Sequence, residues 1–285
     1  MFLILGSLIV IGALLGGFIM AGGHPADLLV PSEFLTLGGV SIGMILISTP
    51  IPAIKALIGA LIGALKGGTV AKPDAEELLK LLYELFNTAR RNGLIALEEH
   101  VLEPSKSAIF SKYKTFLKDH SRIEFLCNGL KPLIDGRIKP EQLESLMMVT
   151  VDAKAEEAAE PIHVMQLVGD SLPGIGIIAA VLGIIHTMAI VDSGAEKVGK
   201  SVAGALTGTL LGVLGAYGFV NPTAARVKAN NNLEGQYYLA TMKGLCGFAQ
   251  GMAPLMAVEV ARRCIDHHLV PSAEGMEEML KNAGK

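Results

Sequence analysis

Long apolar runs alternate with polar stretches along this chain and determine its architecture. Two of the runs cover residues 175–191 and 202–220, and neither contains Asp, Glu, Lys or Arg. Each run, with its flanks, supplies the ~20 helical residues needed to cross a hydrocarbon core. Two more runs cover residues 2–20 and 33–49 near the N-terminus. The pattern predicts an all-α, polytopic membrane protein with four transmembrane helices.

The stretch between the second and third apolar runs has the pattern of amphipathic helices. The apolar positions of its first helix recur at helical spacing: Leu78, Leu81, Leu82, Leu85, Phe86 and Ala89. We expect this helix to begin at Pro73 and Asp74, with Glu77 in the capping-box position. It should end at Asn92 and Gly93 in a left-handed cap. No alternating strand pattern occurs, so this region is predicted to be helical throughout.

Further helices are predicted over residues 94–102, 105–118 and 122–134, and in the tail over residues 224–264 and 272–283. A long helix is expected to begin near Pro140 and to run on towards the third membrane helix, with Pro161 as a bend. In chain order, the predicted segments are the first membrane helix (1–20), a periplasmic loop (21–32), the second membrane helix (33–51), a mostly helical cytoplasmic domain (52–165), the third membrane helix (166–191), a periplasmic loop (192–200), the fourth membrane helix (201–221) and a cytoplasmic tail (222–285).

The basic residues set the expected orientation. Of the 24 Lys and Arg residues, 15 lie between the second and third membrane helices and 7 follow the fourth. Positive charge favours the cytoplasmic side, although long loops count for less than short ones. We therefore expect both termini and the polar region to be cytoplasmic. The first apolar run has no Lys or Arg before it, which favours a retained helix over a cleaved signal peptide.

Composition narrows the function. Hydrophobic residues make up 51% of the chain and charged residues 18%, and a net charge of -3 gives no support for a nucleic-acid surface. Cys127, Cys246 and Cys264 have no CxxC spacing and are expected to be reduced and structural. His267 and His268 are adjacent and would point apart on a helix, so no metal site is predicted. No catalytic constellation occurs, and we expect a protein that is not an enzyme.

The four spans lack a carboxylate between their ends. Asp170 and Glu33 fall at helix mouths, and Ser32 with Glu33 resembles the cap of the second helix. A proton or sodium path usually needs a carboxylate at membrane depth. If the chain conducts ions, that carboxylate must come from another chain. His186, near one end of the third helix, is either a proton relay or a neutral interfacial histidine.

Small residues on the fourth membrane helix provide a face for close packing. Gly204, Gly208 and Gly212 are four apart, with Thr209 beside them. This face could admit a partner helix or pack within the subunit, and the sequence leaves both open. Pro173 and Pro222 lie near the same end of the two antiparallel helices. Two prolines at one level favour a hinge or gate over a passive span.

Charged residues mark one more candidate surface, in the polar region. Arg90, Arg91, Glu98 and Glu99 lie at predicted helix ends. Such charges are usually solvated surface. The alternative is an electrostatic docking surface, where charge fixes register and contact rate.

Four segments together resemble the MotA family, the A subunits of flagellar motor stators. They are GDSLPGIGIIAAVLGIIH (169–186), GTLLGVLGAYGFVNP (208–222), ARRNGLIALE (89–98) and IGALLGGFIMAGGHPADLLVPSEFLTLGG (11–39). The resemblance covers essentially the whole chain. It implies a multi-pass protein of the bacterial cytoplasmic (inner) membrane that forms a ring of five around two copies of a MotB-like single-span partner.

The resemblance also implies roles for particular residues. The partner's membrane aspartate would bind the coupling ion, with Thr209 lining the path and no cofactor in this chain. Pro173 and Pro222 would couple ion binding to movement. Arg90 and Glu98 would engage the rotor switch-complex protein (FliG-like).

The coupling ion is predicted from one position. At Ala180, sodium-driven relatives of the resembled family carry a threonine, whose hydroxyl can ligate the ion. Alanine offers no oxygen ligand. The coupling ion is therefore predicted to be H+.

Rival interpretations make different predictions. A TolQ- or ExbB-type envelope energy transducer would have three spans, with its cytoplasmic domain after the first. A secondary transporter would have inverted repeats and a polar midplane site. A membrane enzyme would need a buried nucleophile or metal set. A scaffold without ion flux would lack a single-span partner that carries a membrane aspartate.

Overall fold

The computed structural model describes residues 2–68 and 70–283, and within these ranges the chain is helical without strands. The α-helices are α1 (Phe2–Met20), α2 (Pro31–Ser48), α3 (Ile51–Lys66), α4 (Lys72–Asn92), α5 (Glu98–Leu102), α6 (Lys114–Leu117), α7 (His120–Ile134), α8 (Pro140–Ala189), α9 (Ala195–Leu214), α10 (Asn221–Ala249), α11 (Pro254–Arg263) and α12 (Ala273–Ala283). In the part of the chain that the structure describes, four helical stretches are long and apolar enough to cross a membrane, which confirms the predicted number of spans.

The chain divides into two compact units. The membrane unit comprises residues 2–68 and 158–229, and the polar unit comprises residues 70–157 and 230–283. The divisions therefore fall within α8 and α10. Each unit has its own apolar clusters, so each is described by itself.

The start of α2 differs from the prediction. Val30 is the N-cap, with extended backbone (φ -99°, ψ 105°), and Pro31 occupies the first helical position. Proline is well suited there because its fixed φ is preorganised for the helix and its missing N–H needs no partner. Ser32 and Glu33 therefore lie inside the first turn, and the prediction that they cap the helix is wrong.

Helix α3 falls in the region predicted to be helical throughout, but the sequence analysis gave no bounds for it. It begins after Pro50, with Pro52 in its first turn, and ends at Gly67, whose φ of 108° and ψ of 10° are left-handed. Its buried residues, Ala53, Leu57 and Ala64, follow helical spacing. The proline start and glycine stop are the signals that could have revealed it.

Neither Pro161 nor Pro173 ends α8. Helix α8 continues for 50 residues through Pro161 and Pro173. The prediction that the helix from Pro140 runs on into the third membrane helix is therefore confirmed. Ahead of Pro222, residues Gly215–Val220 form a π-helix, in which the Asn221 N–H donates to the Ala216 carbonyl five residues back. This segment places Pro222 in the first turn of α10, where a missing N–H and a bulky ring are tolerated.

The polar unit is built on the apolar stripe of α4. Leu78, Leu82, Leu85 and Phe86 are fully buried, and the Phe86 ring stacks on Phe248 at 4.4 Å between centroids. The predicted stripe is therefore confirmed as the core face.

The detailed caps in the polar unit differ from the predictions. Asp74, not Glu77, accepts the N–H at the start of α4, from Ala71 at 2.7 Å. Glu77 instead accepts hydrogen bonds from the Thr115 N–H and hydroxyl, at 2.9 and 2.8 Å, and so anchors α6. Gly93 has the expected positive φ of 84°, but its ψ of 163° lies outside the left-handed helical region.

The predicted helix over residues 105–118 is also wrong. Two short 3-10 turns, Pro104–Lys106 and Phe110–Lys112, precede α6 there. The Ser107 hydroxyl accepts hydrogen bonds from the N–H groups of Ile109 and Phe110, both at 3.2 Å. Side-chain bonds of this kind compete with regular helix.

One buried arginine joins three segments of the polar unit. The Arg122 guanidinium contacts Asp74 at 3.2 Å, Asp119 at 3.2 Å and Glu234 at 2.9 Å. It also lies 4.3 Å from the centre of the Tyr237 ring. Because several carboxylates surround it, the pKa of Arg122 is raised despite its burial. This cluster fixes α4, α7 and α10 against one another.

Candidate functional site

Glycines bring α8 and α9 into close contact in the membrane unit. A Cβ at Gly176 would lie 2.8 Å from the Gly208 carbonyl oxygen and 3.3 Å from the Gly212 Cα. A Cβ at Gly212 would lie 2.6 Å from the Leu172 carbonyl oxygen. Ordinary contacts are longer, so only glycine fits at these crossings. The face that contains Gly208 and Gly212 therefore packs within the subunit, which settles the alternative that the sequence left open.

The two predicted ion-path residues belong to this helix pair. The Thr209 hydroxyl lies 3.4 Å from the carbonyl oxygen of Gly176 on α8, at the long end of a hydrogen bond. Ala180 is buried, one turn along α8 from Gly176. The structure thus places the two residues on neighbouring helices, within about one turn of each other, while their roles stay predictions.

The two predicted coupling prolines lie towards the same end of this pair. A Cβ at Gly169 on α8 would overlap the Asn221 side chain, so these two residues are level with each other. Pro173 is four residues from Gly169, about 6 Å along the helix axis, and Pro222 directly follows Asn221. The π-helix Gly215–Val220 therefore lies between the crossing glycines and Pro222.

Glu33 is the residue whose position the sequence did not reveal. Its exposure is 5%, and its Oε2 has no hydrogen-bond partner within the described ranges. The hydroxyl of Ser32 is a hydrogen-bonding neighbour of the carboxyl group. A Cβ at Gly208 would overlap the carboxylate, so that glycine makes room for it. The sequence did contain a signal for this position. An acidic residue lies in the first turn of a helix that begins with proline, and another helix is rich in glycine.

A cavity of about 1240 Å³ adjoins Glu33 in the membrane unit. Its walls come from α1, α2, α8, α9 and the connection between α1 and α2. The titratable groups on its lining besides Glu33 are Asp27, His186 and Lys200. His186 is exposed, and Lys200 pairs with Glu196 at 2.9 Å. The structure therefore puts His186 on the lining of a mostly apolar cavity and does not decide between its two predicted roles.

Arg90 and Glu98 lie on one corner of the polar unit, which we call the α4–α5 corner (Arg90 to Leu102). Arg90 is exposed in the last turn of α4, and Glu98 is exposed in the first turn of α5. Each charge suits the dipole of its helix end. Ile95, between them, is 74% exposed. The corner thus presents charges of both signs beside an apolar side chain, a composition suited to docking another protein.

Buried neighbours hold this corner in place. Ala89 and Leu97 anchor its two sides in the core. His100 is buried, and its Nδ1 lies 2.8 Å from the Ser107 hydroxyl. The exposed side chains of Arg90 and Glu98 therefore lie on a segment whose backbone is held by buried neighbours.

The structure also places the three cysteines and the adjacent histidines. Cys127, Cys246 and Cys264 are free thiols, and burial raises the pKa of Cys127 to about 12. His267 and His268 lie in a turn after α11, so the helical reason given against chelation is wrong. Their ligand atoms and those of Asp266 lie within 4.8 Å of one another, on largely exposed side chains.

Comparisons with known proteins identify relatives over the whole chain. The family model "Motility protein A N-terminal" matches residues 4–93, and the "MotA/TolQ/ExbB proton channel family" model matches residues 118–238. Motility protein A of Salmonella typhimurium is 34% identical, over 99% of this chain and 95% of its own length. The Escherichia coli protein of that name is 33% identical over the same shares.

Solved structures are similar as well. The structure titled C. jejuni MotAB matches with a TM-score of 0.78 and 26% identity, over 93% of this chain and 95% of that one. The flagellar MotAB stator complex from Bacillus subtilis matches with a TM-score of 0.74 and 24% identity, over 96% and 98% of the two chains. The second match supports the fold alone.

Proposed function

This chain belongs to the motility protein A family and is a flagellar stator subunit, and we propose that it converts a proton flux into torque on the rotor. The full-length similarity to Motility protein A carries this proposal. The protein is a multi-pass inner-membrane protein that assembles with a MotB-like partner. In the proposed complex a ring of five chains, embedded in membrane lipid, surrounds two partner helices, and both termini are cytoplasmic.

The proposed ion path runs along the α8–α9 pair. A proton binds the membrane aspartate of the partner beside Ala180 and Thr209. Each proton that crosses 100 mV releases ~2.3 kcal/mol. Neutralisation of the aspartate changes how the partner helix lies against this pair. The coupling ion is H+ because the methyl group of Ala180 offers a metal ion no ligand.

The prolines then convert this change into movement. Pro173 and the π-helix that precedes Pro222 interrupt the regular hydrogen bonding of the two helices near one level. Such interruptions are where helices bend. The ring thereby steps around the partner, and the α4–α5 corner transmits the step to the FliG-like rotor protein through Arg90 and Glu98.

Proton flux is tested with the purified complex of this chain and its partner in proteoliposomes. We expect proton uptake under an imposed potential, lost when the partner's aspartate becomes asparagine. Flux that required sodium and ignored the proton gradient would overturn the proton assignment. Proton conduction by this subunit without a partner would refute the division of roles. The mass and symmetry of the same complex test the five-to-two ring.

Rotor contact is tested by charge reversal. Arg90→Glu or Glu98→Lys should reduce torque in a motile strain while membrane assembly persists. Arg137→Glu is the matched control, because Arg137 is 76% exposed and lies outside the α4–α5 corner. Loss of assembly in the Arg90 and Glu98 variants would instead indicate a folding role.

The alternative is a TolQ- or ExbB-type envelope transducer, which the second family model includes by name. The match of residues 4–93 to the motility N-terminal model favours the stator. A deletion strain that still swims but loses envelope integrity would support the alternative.

A further inference from the structure

Glu33 is the one buried ionisable residue of the membrane unit among the residues that the structure describes. A buried carboxylate is costly when it is charged and unpaired. Such groups face cavities, find partners or take up a proton. Among the described residues Oε2 has no hydrogen-bond partner, so the side chain needs an occupant.

The surroundings of Glu33 restrict that occupant. On one side, the carboxylate lies against the bare backbone of Gly208, where any side chain would collide with it. The hydroxyl of Ser32 is its only identified hydrogen-bonding neighbour in the described chain. The nearby hydroxyl of Thr207 already donates to the Ala203 carbonyl, at 3.1 Å. A metal cation would need several oxygen ligands to replace its water shell, whereas a proton needs one.

The cavity beside Glu33 supplies a route for that proton. The lining of this open cleft of about 1240 Å³ is mostly apolar, and its titratable side chains supply the polar partners that water needs. Asp27 faces the cavity from the α1–α2 connection, His186 from α8 and Lys200 from α9, while α2 adds no other charge. Glu33 therefore shares a cleft with three other titratable side chains.

We propose that Glu33 is a proton-binding site that this chain contributes to the ion route, loaded from the cavity between α2, α8 and α9. On loading, a hydronium ion in the cavity donates a proton to the Glu33 carboxylate, an O–H bond forms and water is left behind. On release, that O–H bond breaks and the proton passes to cavity water or to the next acceptor. The site deepens and rests on the proposed proton-driven function, and it is distinct from the partner's aspartate.

Infrared difference spectroscopy on the purified complex with its partner tests the site directly. A protonated carboxyl group gives a C=O band that shifts on deuterium exchange. Beside the band of the partner's aspartate, we expect a second such band to titrate with pH in the wild type, to be lost in Glu33→Gln and to persist in Glu33→Asp. Glutamine keeps the shape of the side chain but cannot exchange a proton. Asp27→Asn, on the same cavity, is the matched control and should leave the band intact.

Proton flux through the same preparations gives the second readout. We expect Glu33→Gln to lower flux by about 10²–10⁴-fold, the scale on which a positioned acid–base group acts, with Asp27→Asn near wild type. A complex of Glu33→Gln that assembles normally and keeps full flux would overturn the proposal, as would a spectrum that the substitution leaves unchanged. If Glu33→Gln does not assemble, Glu33→Asp decides, because a shortened acid should shift the titration of the band only if Glu33 is its source.

These readouts separate this proposal from the wider function. A wild-type complex that passes no protons would refute proton-driven stator action. The infrared titration would still decide whether Glu33 binds a proton, because it needs no flux.

Discussion

Replacing Gly176 by alanine should separate α8 from α9. The added Cβ would lie 2.8 Å from the Gly208 carbonyl oxygen and 3.2 Å from the Thr209 Cα, both backbone-framework atoms that cannot rotate away. Ordinary contacts begin near 3.4 Å, so the helices must part by several tenths of an ångström. Overpacking of this kind costs about 1–3 kcal/mol. The Thr209–Gly176 contact, already at 3.4 Å, would exceed hydrogen-bonding distance.

Thermal unfolding of the purified complex measures this effect. At about 2–4 °C per kcal/mol for a unit of this size, the melting temperature should fall by about 2–12 °C. Gly174→Ala and Gly199→Ala are matched controls, because a Cβ at either position meets nothing within 4 Å. Equal melting temperatures for Gly176→Ala and the two controls would refute the close crossing of α8 and α9.

Three further outcomes follow from the polar unit. Arg122→Met should destabilise it by about 3–5 kcal/mol, measured by denaturant unfolding, because three carboxylates lose their shared cation; an unchanged midpoint would contradict the cluster. The two adjacent arginines, Arg262 first, lower the pKa of Glu259 from 4.5 to about 2. This depressed pKa contributes stability that is present above pH 4.5 and lost as pH falls towards about 2, and Glu259→Gln should flatten that acid limb. In mass-spectrometric alkylation Cys264 should react before Cys127, because burial removes Cys127 from solvent and raises its pKa to about 12; the reverse order would contradict the packing of α7.

Hydrophobic periodicity predicted the helices well, because it reports which face is buried. The span over residues 2–20 coincides with α1, and the stripe of α4 became the core of the polar unit. Short segments were less predictable. Residues 105–118 have helix-forming composition, yet the bonds that Ser107 accepts from backbone N–H groups hold them in 3-10 turns. Local side-chain competition of this kind leaves little trace in a pattern of apolar positions.

The candidate site was predictable only where it depends on helix spacing. The level of the two prolines followed from antiparallel helices of known rise. The residue that packs against Gly208 could not be predicted, because a glycine face suits a neighbouring subunit, a second protein or a side chain of the same subunit equally well. Glu33 fills that place because Pro31, by starting the helix early, turned an expected cap into an interior residue.

The Arg122 cluster has a consequence for biosynthesis. Asp74 and Arg122 leave the ribosome long before Glu234, and residues 158–229 of the membrane unit are made in between. At ~5–20 residues per second, that interval lasts several seconds or more. During it, the first half of the polar unit lacks both its last carboxylate and the α10 and α11 side chains that complete its core. The polar unit can therefore complete its fold only after residues 158–229 have been synthesised, and until then its unfinished core is exposed to aggregation.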